Sequence, residues 1–547
     1  MSASVNPIVK QILVSRGYDK PDELKRFMNP DYEKDLHDPL LLTDMKAAVK
    51  RILEAVKSKQ KIVIYGDYDI DGITASAVMI ETIKNLGHQA ASYIPDRFEE
   101  GYGLNQTALK ALKKDGVELI ITVDCGVTSV SEVEWANKNG LDVIITDHHN
   151  VPPVIPKALA VINPKRPDDK YPFKDLAGVG VAFKLAQALQ QTSGKPEKGQ
   201  EKWLLDLVAL GTVCDVVPLV GENRVLAKFG LLVMAKTRRP GIKALAAVGG
   251  VEGALNSYHL GWVLGPRLNA AGRLEHARHS LELIHTADSS RAMELAAELH
   301  ELNKQRLADQ KRIIAEAEEQ AKLYVDDPVL VLADEGWSHG IVGIVAGRLA
   351  DKFHKPTLVM QILGDTTKGS ARSTGRFNIV DGLRAADKHL IKYGGHFFAA
   401  GCTLKTKDID KLRQILNKQA AKEGLGVEEA DERKEPDARL TDFSKLDWEL
   451  YKALEAFEPH GHGNPRPILS TDAKVAALRK VGVDQTHLKL TLADSQGNLF
   501  EGIGFGLVEK HSNLKPGQSV QVHYNLSKNE YNGNSNLQLL VTDLMNE

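Results

Sequence analysis

The segment IYGDYDIDG places three carboxylates, Asp67, Asp69 and Asp71, within five residues, directly after the apolar run KIVIY. Like charges that close repel, so their clustering points to a positive partner. Two further apolar runs end in the same way. ELIITV leads into Asp124-Cys125-Gly126, and DVIIT leads into Asp147-His148-His149. A fourth acid, Asp215, follows the apolar stretch of ALGTVCDVVPL. A single Asp after a strand is usually a turn former or helix cap. Four such positions joined by Asp-His-His call for another explanation. Carboxylates and imidazoles without thiolates suit Mn2+ or Mg2+ better than structural zinc. Two ions about 4 Å apart need roughly four acids and a histidine, the set present here. Asp71 precedes Gly72 and reads as a turn and cap, outside this set. Cys125 and Cys214 adjoin the proposed ligands but read as small buried residues.

These side chains need a scaffold that brings distant segments to one edge. KIVIY (61–65), ASYIP (91–95), ELIITV (118–123) and DVIIT (142–146) read as strands, separated by helical patterns such as TASAVMIETIKNL and SVSEVEWANKNG. Such alternation implies a parallel sheet with helices on both faces. In open α/β sheets the functional crevice lies beyond the carboxyl ends of the strands, where these acids fall. Residues 288–323 form one uninterrupted helical pattern with Leu295, Leu299 and Leu302 at helix spacing, a connector between two lobes. A second α/β block follows over about 328–420, and the charged stretch 428–440 reads as a linker. The tail from about 468 to 545 alternates strands and turns, which suggests a small β-barrel.

The 547 residues exceed one core and imply three or four domains. A net charge of −2 neither requires nor excludes a nucleic-acid partner, since a basic groove can hide in a neutral total. No apolar stretch is long enough to span a membrane, and the N-terminus lacks the long apolar centre of a secretion signal. Three cysteines without paired spacing point to a reducing compartment, the cytoplasm. LAGVGVAFKLAQAL (176–189) lacks the third glycine of a dinucleotide fingerprint and reads as helix packing. Trp337 and His339 in DEGWSHG are open to two readings, contact with nucleic acid or packing.

GDYDIDG, VDCG, TDHH and GTVCDVVPL together resemble the signatures of the DHH phosphoesterase superfamily. GPRLNAAGRL (265–274), GSARS (369–373), YGGHFFAAG (393–401) and the β-rich tail resemble its RecJ branch, the single-strand-specific 5′→3′ DNA exonucleases. The resemblance implies an α/β multidomain protein. Residues 1–45 would form a helical segment, 46–287 a parallel-sheet DHH domain, and 288–325 the connecting helix. Residues 326–427 would form a DHHA1-type domain, and 428–547 a linker plus an OB-like β-barrel. Many superfamily members carry a histidine ligand at the position of Tyr65, which leaves open how that part of the site is completed here.

Carried over residue by residue, the resemblance implies two ions. Asp67 and Asp69 would each bind one, Asp124 would bridge both, and His148 and Asp215 would complete the second site. His149 would act on the substrate phosphate, and Asp147 would orient the imidazoles. Ser370 and Arg372, with Arg97 of PDRFEEGYG, resemble a clamp for a terminal 5′-phosphate, a role suited to the planar guanidinium fork. His396 would touch phosphate. Asn269 and Arg273 would meet the DNA backbone or support the metal site, although Asn269 also suits a turn or cap. Phe500, Phe505, Tyr524 and Tyr531 in the tail could stack bases but are more often core residues.

The expected reaction is removal of 5′-mononucleotides from single-stranded DNA in recombination and repair. The expected protein is a monomer acting beside a single-strand-binding protein and a helicase. A short-oligonucleotide phosphodiesterase would ordinarily lack the β-rich tail. A pyrophosphatase would need neither that tail nor an end clamp. A non-catalytic DNA-binding relative would have lost ligands that are retained here.

Overall fold

A computed structural model of the chain describes residues 6–97, 100–274, 276–425, 435–531 and 533–546. Strands β1 (Ile62–Gly66), β2 (Ala90–Tyr93), β3 (Leu119–Val123), β4 (Asp142–Thr146) and β5 (Ala160–Ile162) form the first sheet. All pair in parallel, in the order β2-β1-β3-β4-β5. β1, β3 and most of β4 are buried on both faces, which is why they read as unbroken apolar runs. Ile62, Ile64, Leu119 and Ile121 pack toward the helices Met45–Lys57, Ile70–Asn85 and Gly178–Ser193. Val63, Tyr65, Ile120 and Val143 pack toward the helices Gln106–Lys114 and Val130–Lys138.

The predicted connector is one helix, Ser289–Ala321. Its first half buries Leu295, Leu299 and Leu302 in the core of the first sheet. Its second half buries Ile313, Ala317 and Ala321 against the second block. At 1.5 Å per residue it spans roughly 50 Å. Beyond it, β6 (Leu330–Asp334), β7 (Thr357–Leu363), β8 (Thr366–Arg372), β9 (Leu390–Gly395) and β10 (Ala399–Lys405) form a mixed sheet in the order β6-β7-β8-β10-β9.

The tail forms the expected barrel. β11 (Ala438–Leu440) pairs with β12 (Leu469–Val481). From there β12, β13 (His487–Asp494), β14 (Leu499–Gly504), β16 (Asn534–Asn546) and β15 (Ser519–Tyr531) close on one another, β15 pairing back to β12. Residues 438–440, expected to be linker, are therefore a strand, while residues 428–434 of that stretch lie outside the described residues.

The barrel core also takes in the start of the chain. Ile8, Val9, Ile12, Leu13, Leu24 and Phe27 pack with Phe443, Phe457, Leu490 and Val522. Arg16 donates two hydrogen bonds to the Asp437 carboxylate, at 2.7 and 3.0 Å. Buried Arg224, in the helix Gly221–Met234, donates to the carbonyls of Phe27, Ala456 and Phe457, joining all three parts. No helix among the described residues is long and apolar enough to cross a membrane.

Candidate functional site

The parallel sheet delivers the acidic segments to one edge. Asp67 and Asp69 follow β1, Asp124 follows β3, and Asp147, His148 and His149 follow β4. Asp215 arrives by another route, as the cap of the helix Leu205–Cys214. Asp124 holds a left-handed backbone conformation (φ +61°), which turns the chain sharply at the strand end.

Asp71 belongs to this cluster, contrary to its reading as a turn and cap. The cap is Asp69, whose side chain accepts from the Gly72 N–H at 3.1 Å. Asp71 lies in the first helical turn, buried, and its two oxygens accept from the Gly178 and Val179 N–H groups at 2.6 and 2.8 Å. Those groups open the helix Gly178–Ser193, so its positive end faces the acid. Gly178 is also a steric necessity, since a Cβ there would stand 2.6 Å from Asp124 Oδ1. The segment dismissed as helix packing thus supplies part of the floor of the site.

His148 sits at the centre. Its Nε2 lies 3.1 Å from Asp124 Oδ1 and 3.7 Å from both Asp71 Oδ2 and Asp215 Oδ2. Three overlapping groups have all their ligand atoms within 4.8 Å of one another: Asp67, Asp69 and Asp124; Asp71, His148 and Asp215; and Asp124, His148 and His149. Asp67 and Asp69 share one of these groups with Asp124. Asp67 Oδ1, Asp124 Oδ1, Asp215 Oδ2 and both His148 nitrogens are buried without a hydrogen-bond partner. Buried polar atoms in such numbers need compensation. Burial, then the neighbouring acids, pushes the carboxyls of Asp67, Asp124 and Asp215 well above the carboxylate range, and Asp71 to about 7. Burial, then the charge of His149, holds His148 down at about 3, leaving its imidazole neutral and able to ligate. Divalent cations would satisfy the orphaned atoms and let these acids ionise, so the donor set fits hard cations.

Asp147 is spent on structure. Its Oδ2 accepts from the Val127 N–H at 2.9 Å. Its Oδ1 accepts from the backbone of His148 and His149 and lies 2.8 Å from His149 Nδ1. Although buried, it is held down at about 2, chiefly by the His149 hydrogen bond and charge. Tyr65 takes no part in the cluster. It is stacked on Tyr93, and its hydroxyl donates to the Gly103 carbonyl at 3.0 Å. Cys125 and Cys214 donate to backbone carbonyls, in keeping with their reading as non-ligands.

A cationic wall faces the acids. Arg97, in the loop after β2, lies over the Tyr68 ring at 5.0 Å. Arg273 donates to the Gly340 carbonyl at 3.0 Å, and Arg372 to that of Ala371 at 2.8 Å. None of the three forms an ion pair with a described carboxylate. Arg273 meets Gly340 and Arg372 lies beside Gly343 of the same helix, His339–Phe353, so the two guanidiniums are neighbours, and burial, then the charge of Arg97, lowers both, Arg273 to about 10. Ser370 and Arg372 lie on β8, packed against Gly343. His396 starts the tight turn between β9 and β10, and burial followed by the charges of His149 and Lys165 lowers it. Asn269 is mid-helix, not a cap, and lines a small cavity with Arg273, Arg306 and Cys214.

Trp337 is a packing residue, fully buried with its Nε1–H on Glu316 at 2.8 Å. His339 is held at about 4 by burial, then by the charge of Arg97, which puts it beside the cationic wall. Of the tail aromatics, Tyr524 is buried and bonded to Thr471, Phe500 packs on the barrel core, and Phe505 is exposed. The Tyr531 side chain lies outside the described residues. Sequence reasoning passed over Tyr102, against His149, and Lys165, whose charge reaches His148, Asp215 and His396. The GYG and NPK contexts were the only local signals for them.

Comparison with known proteins agrees with this architecture. Residues 61–212 match the DHH family, N-terminal domain; residues 326–422 the DHHA1 domain; and residues 437–543 the RecJ OB domain. The single-stranded-DNA-specific exonuclease RecJ of Bacillus subtilis is 40% identical, over 98% of this chain and 68% of that protein. The Haemophilus influenzae protein of the same name is 35% identical, over 99% of this chain and 96% of its own. The crystal structure of RecJ in complex with Mn2+ from Thermus thermophilus superposes with a TM-score of 0.85 at 28% identity, covering 99% of this chain and 76% of that one. A Mg2+ complex of the same protein is also similar, with a TM-score of 0.79. With its acid-lined sheet edge, second α/β lobe and closing barrel, the chain belongs to the RecJ family of DHH phosphoesterases.

Proposed function

We propose that this protein is a single-strand-specific 5′→3′ DNA exonuclease that releases 5′-mononucleotides. The observation that carries the reading is the pairing of a buried carboxylate–histidine cluster with three arginines, drawn from both lobes, on the facing wall. A hydrolase for free phosphates needs only the cluster; a terminal phosphate on a polymer also needs a grip at fixed distance.

Asp67, Asp69 and Asp124 would hold one Mn2+ or Mg2+ ion, and Asp71, His148 and Asp215 a second. Bound there, such cations supply Lewis acidity that makes water a nucleophile near neutral pH and offsets charge on the phosphoryl oxygens. Asp147 fixes the His149 ring through Nδ1, which leaves Nε2 for a phosphoryl oxygen of the scissile group. Arg97, Ser370 and Arg372 grip the terminal 5′-phosphate, and His396 and Arg273 steady the strand between clamp and cluster. Water adds to phosphorus and the P–O3′ bond breaks. The released nucleotide keeps its 5′-phosphate, and the shortened strand presents a new one to the clamp. Asn269 and the barrel bind the continuing strand, so single-stranded DNA with a 5′ end is the substrate.

The cleft is completed within one chain, which supports action as a monomer, and the three free cysteines support a cytoplasmic setting. Recombination and repair, beside a helicase that unwinds DNA and a single-strand-binding protein that covers it, is the setting that supplies such ends.

Digestion of single strands labelled at either end, with Mn2+, tests the reading. Immediate release of 5′-labelled mononucleotide, absent on blunt duplex, is expected. Binding without cleavage would make the protein a scaffold. Cleavage confined to two- to five-nucleotide substrates would make it an oligonucleotide phosphodiesterase.

A further inference from the structure

Tyr102 stands in a setting that neither the ion cluster nor the phosphate clamp explains. Its hydroxyl reaches into the site, 3.1 Å from His149 Nδ1 and 3.3 Å from the Asp124 carbonyl, to which it donates. Its ring meets the His149 ring edge to face, with centroids 5.5 Å apart. Yet the residue is 45% exposed. An aromatic residue with its polar end fastened against His149 and nearly half its surface still exposed has a surface to offer.

The loop is built to hold that posture. Gly101 and Gly103, on either side, adopt φ +81° and +86°, a conformation that side-chain-bearing residues seldom take. A Cβ at Gly101 would meet nothing within 4 Å, so backbone geometry rather than space accounts for that glycine. At the base of the loop the Glu100 carboxylate accepts from Tyr93 Oη at 2.7 Å, the Asp96 N–H at 2.8 Å and Asn105 Nδ2 at 3.0 Å. On the other side the Tyr65 hydroxyl grips the Gly103 carbonyl, and Asn105 donates to that same hydroxyl at 3.2 Å. Tyr65, at the position where a superfamily histidine would ligate, here anchors the residue next to Tyr102.

We propose that Tyr102 carries the base of the nucleotide being removed on its exposed ring while its hydroxyl steadies His149. The inference rests on the exonuclease reading and assigns a residue to the base, which the phosphate contacts leave unheld. Every base has a π-face, so a ring holds any of them without sequence preference. The single N–H of His149 Nδ1 is shared between Asp147 Oδ1 at 2.8 Å and the phenol oxygen at 3.1 Å, a forked contact that restricts rotation of the ring that meets the phosphoryl group. Tyr102 is thus a positioning residue for His149 and a contact residue for the base.

Steady-state digestion separates the two roles. Wild type, Tyr102→Phe and Tyr102→Ala are assayed with Mn2+ on single strands that are intact or carry one abasic site at the first, second or third nucleotide from the 5′ end. For wild type, one abasic position should raise KM about tenfold. Tyr102→Ala should show that rise on intact DNA and no further rise on the abasic strand. Tyr102→Phe should keep the wild-type KM and its abasic penalty while kcat falls several-fold. Tyr65→Phe, which frees Gly103, should move in the direction of Tyr102→Ala. An abasic penalty of equal size in wild type and Tyr102→Ala at every position would overturn the stacking role. An unchanged kcat in Tyr102→Phe would overturn the bracing role. Equal melting temperatures and Mn2+ affinities across the set exclude a folding defect. Wild type that fails to digest intact strands would instead defeat the exonuclease reading itself.

Discussion

At the carboxyl edge of the first sheet, Asp67, Asp71, Asp124, Asp147 and His148 are buried and fixed by strand ends and a helix N-terminus. Across the cleft, Ser370 and Arg372 are part exposed and His396 is exposed, and one long helix carries the chain from the first lobe to theirs. The first edge concentrates like charge in a rigid, dry frame, which suits cations of fixed geometry. The second sets the Arg372 guanidinium with a hydroxyl and an exposed imidazole on a wettable wall, which suits a sliding polyanion. Rigidity sits where bonds are broken, and adaptability sits where the strand must move one step per turnover.

Breaking the rigid side should cost most. Asp124→Ala is expected to lower turnover of 5′-labelled single strands by roughly 10³-fold or more. Its melting temperature without added metal should hold or rise, because an uncompensated buried acid is gone. A variant that retained a tenth of the activity would refute Asp124 as a metal ligand. Asp71→Asn sharpens the assignment. If Asp71 is a ligand, its loss of activity should approach that of Asp215→Asn, whereas Asp147→Asn should lose roughly 10- to 100-fold, as expected of a residue that orients ligands.

On the adaptable side, Arg372→Ala should raise KM by about 30-fold for strands ending in 5′-phosphate and far less for strands ending in 5′-hydroxyl. An equal loss on both ends would remove Arg372 from the clamp. Away from both edges, Arg224→Met should cost about 3 kcal/mol of stability by leaving three carbonyls without their donor, with kcat little changed. Chemical denaturation monitored at the barrel and at the first sheet would locate the damage. Ligand linkage touches stability without changing a residue. Mn2+ at 100 times its Kd should add about 2.7 kcal/mol to the stability of the native state. At a fixed Mn2+ concentration the gain should grow from pH 6 to pH 8, as protons cease to compete for the buried carboxylates. A gain that shrank over that range would point away from this ligand set.

The carboxylate edge was largely legible in the sequence because strand ends in a parallel sheet converge by topology alone. Each apolar run announced its strand, and the next acid fell at the edge. Asp71 was misread for a local reason. The Asp-Gly pair carries turn chemistry, yet the capping bond belongs to Asp69, two residues earlier. Gly178 was missed because its function is to lack a Cβ beside an acid more than fifty residues away, which no local pattern records. Tyr102 and Lys165 come from loops, where composition says little about direction. The barrel was read as strands, but not the seating of the first helices in its core, since that depends on partners such as Arg16 and Asp437, 421 positions apart.

That last contact has a consequence for how the molecule is made. At about 5 to 20 residues per second, the segment carrying Arg16 leaves the ribosome some 20 to 80 s before Asp437 does. Until then the apolar faces of Ile8, Ile12 and Phe27 lack the surface that covers them in the finished protein. The helices Pro7–Ser15 and Pro21–Met28 are a delayed clasp, and the barrel core closes only when strands made more than four hundred residues later reach them. A chain halted before Ala438 would therefore carry the acidic edge without the closed barrel.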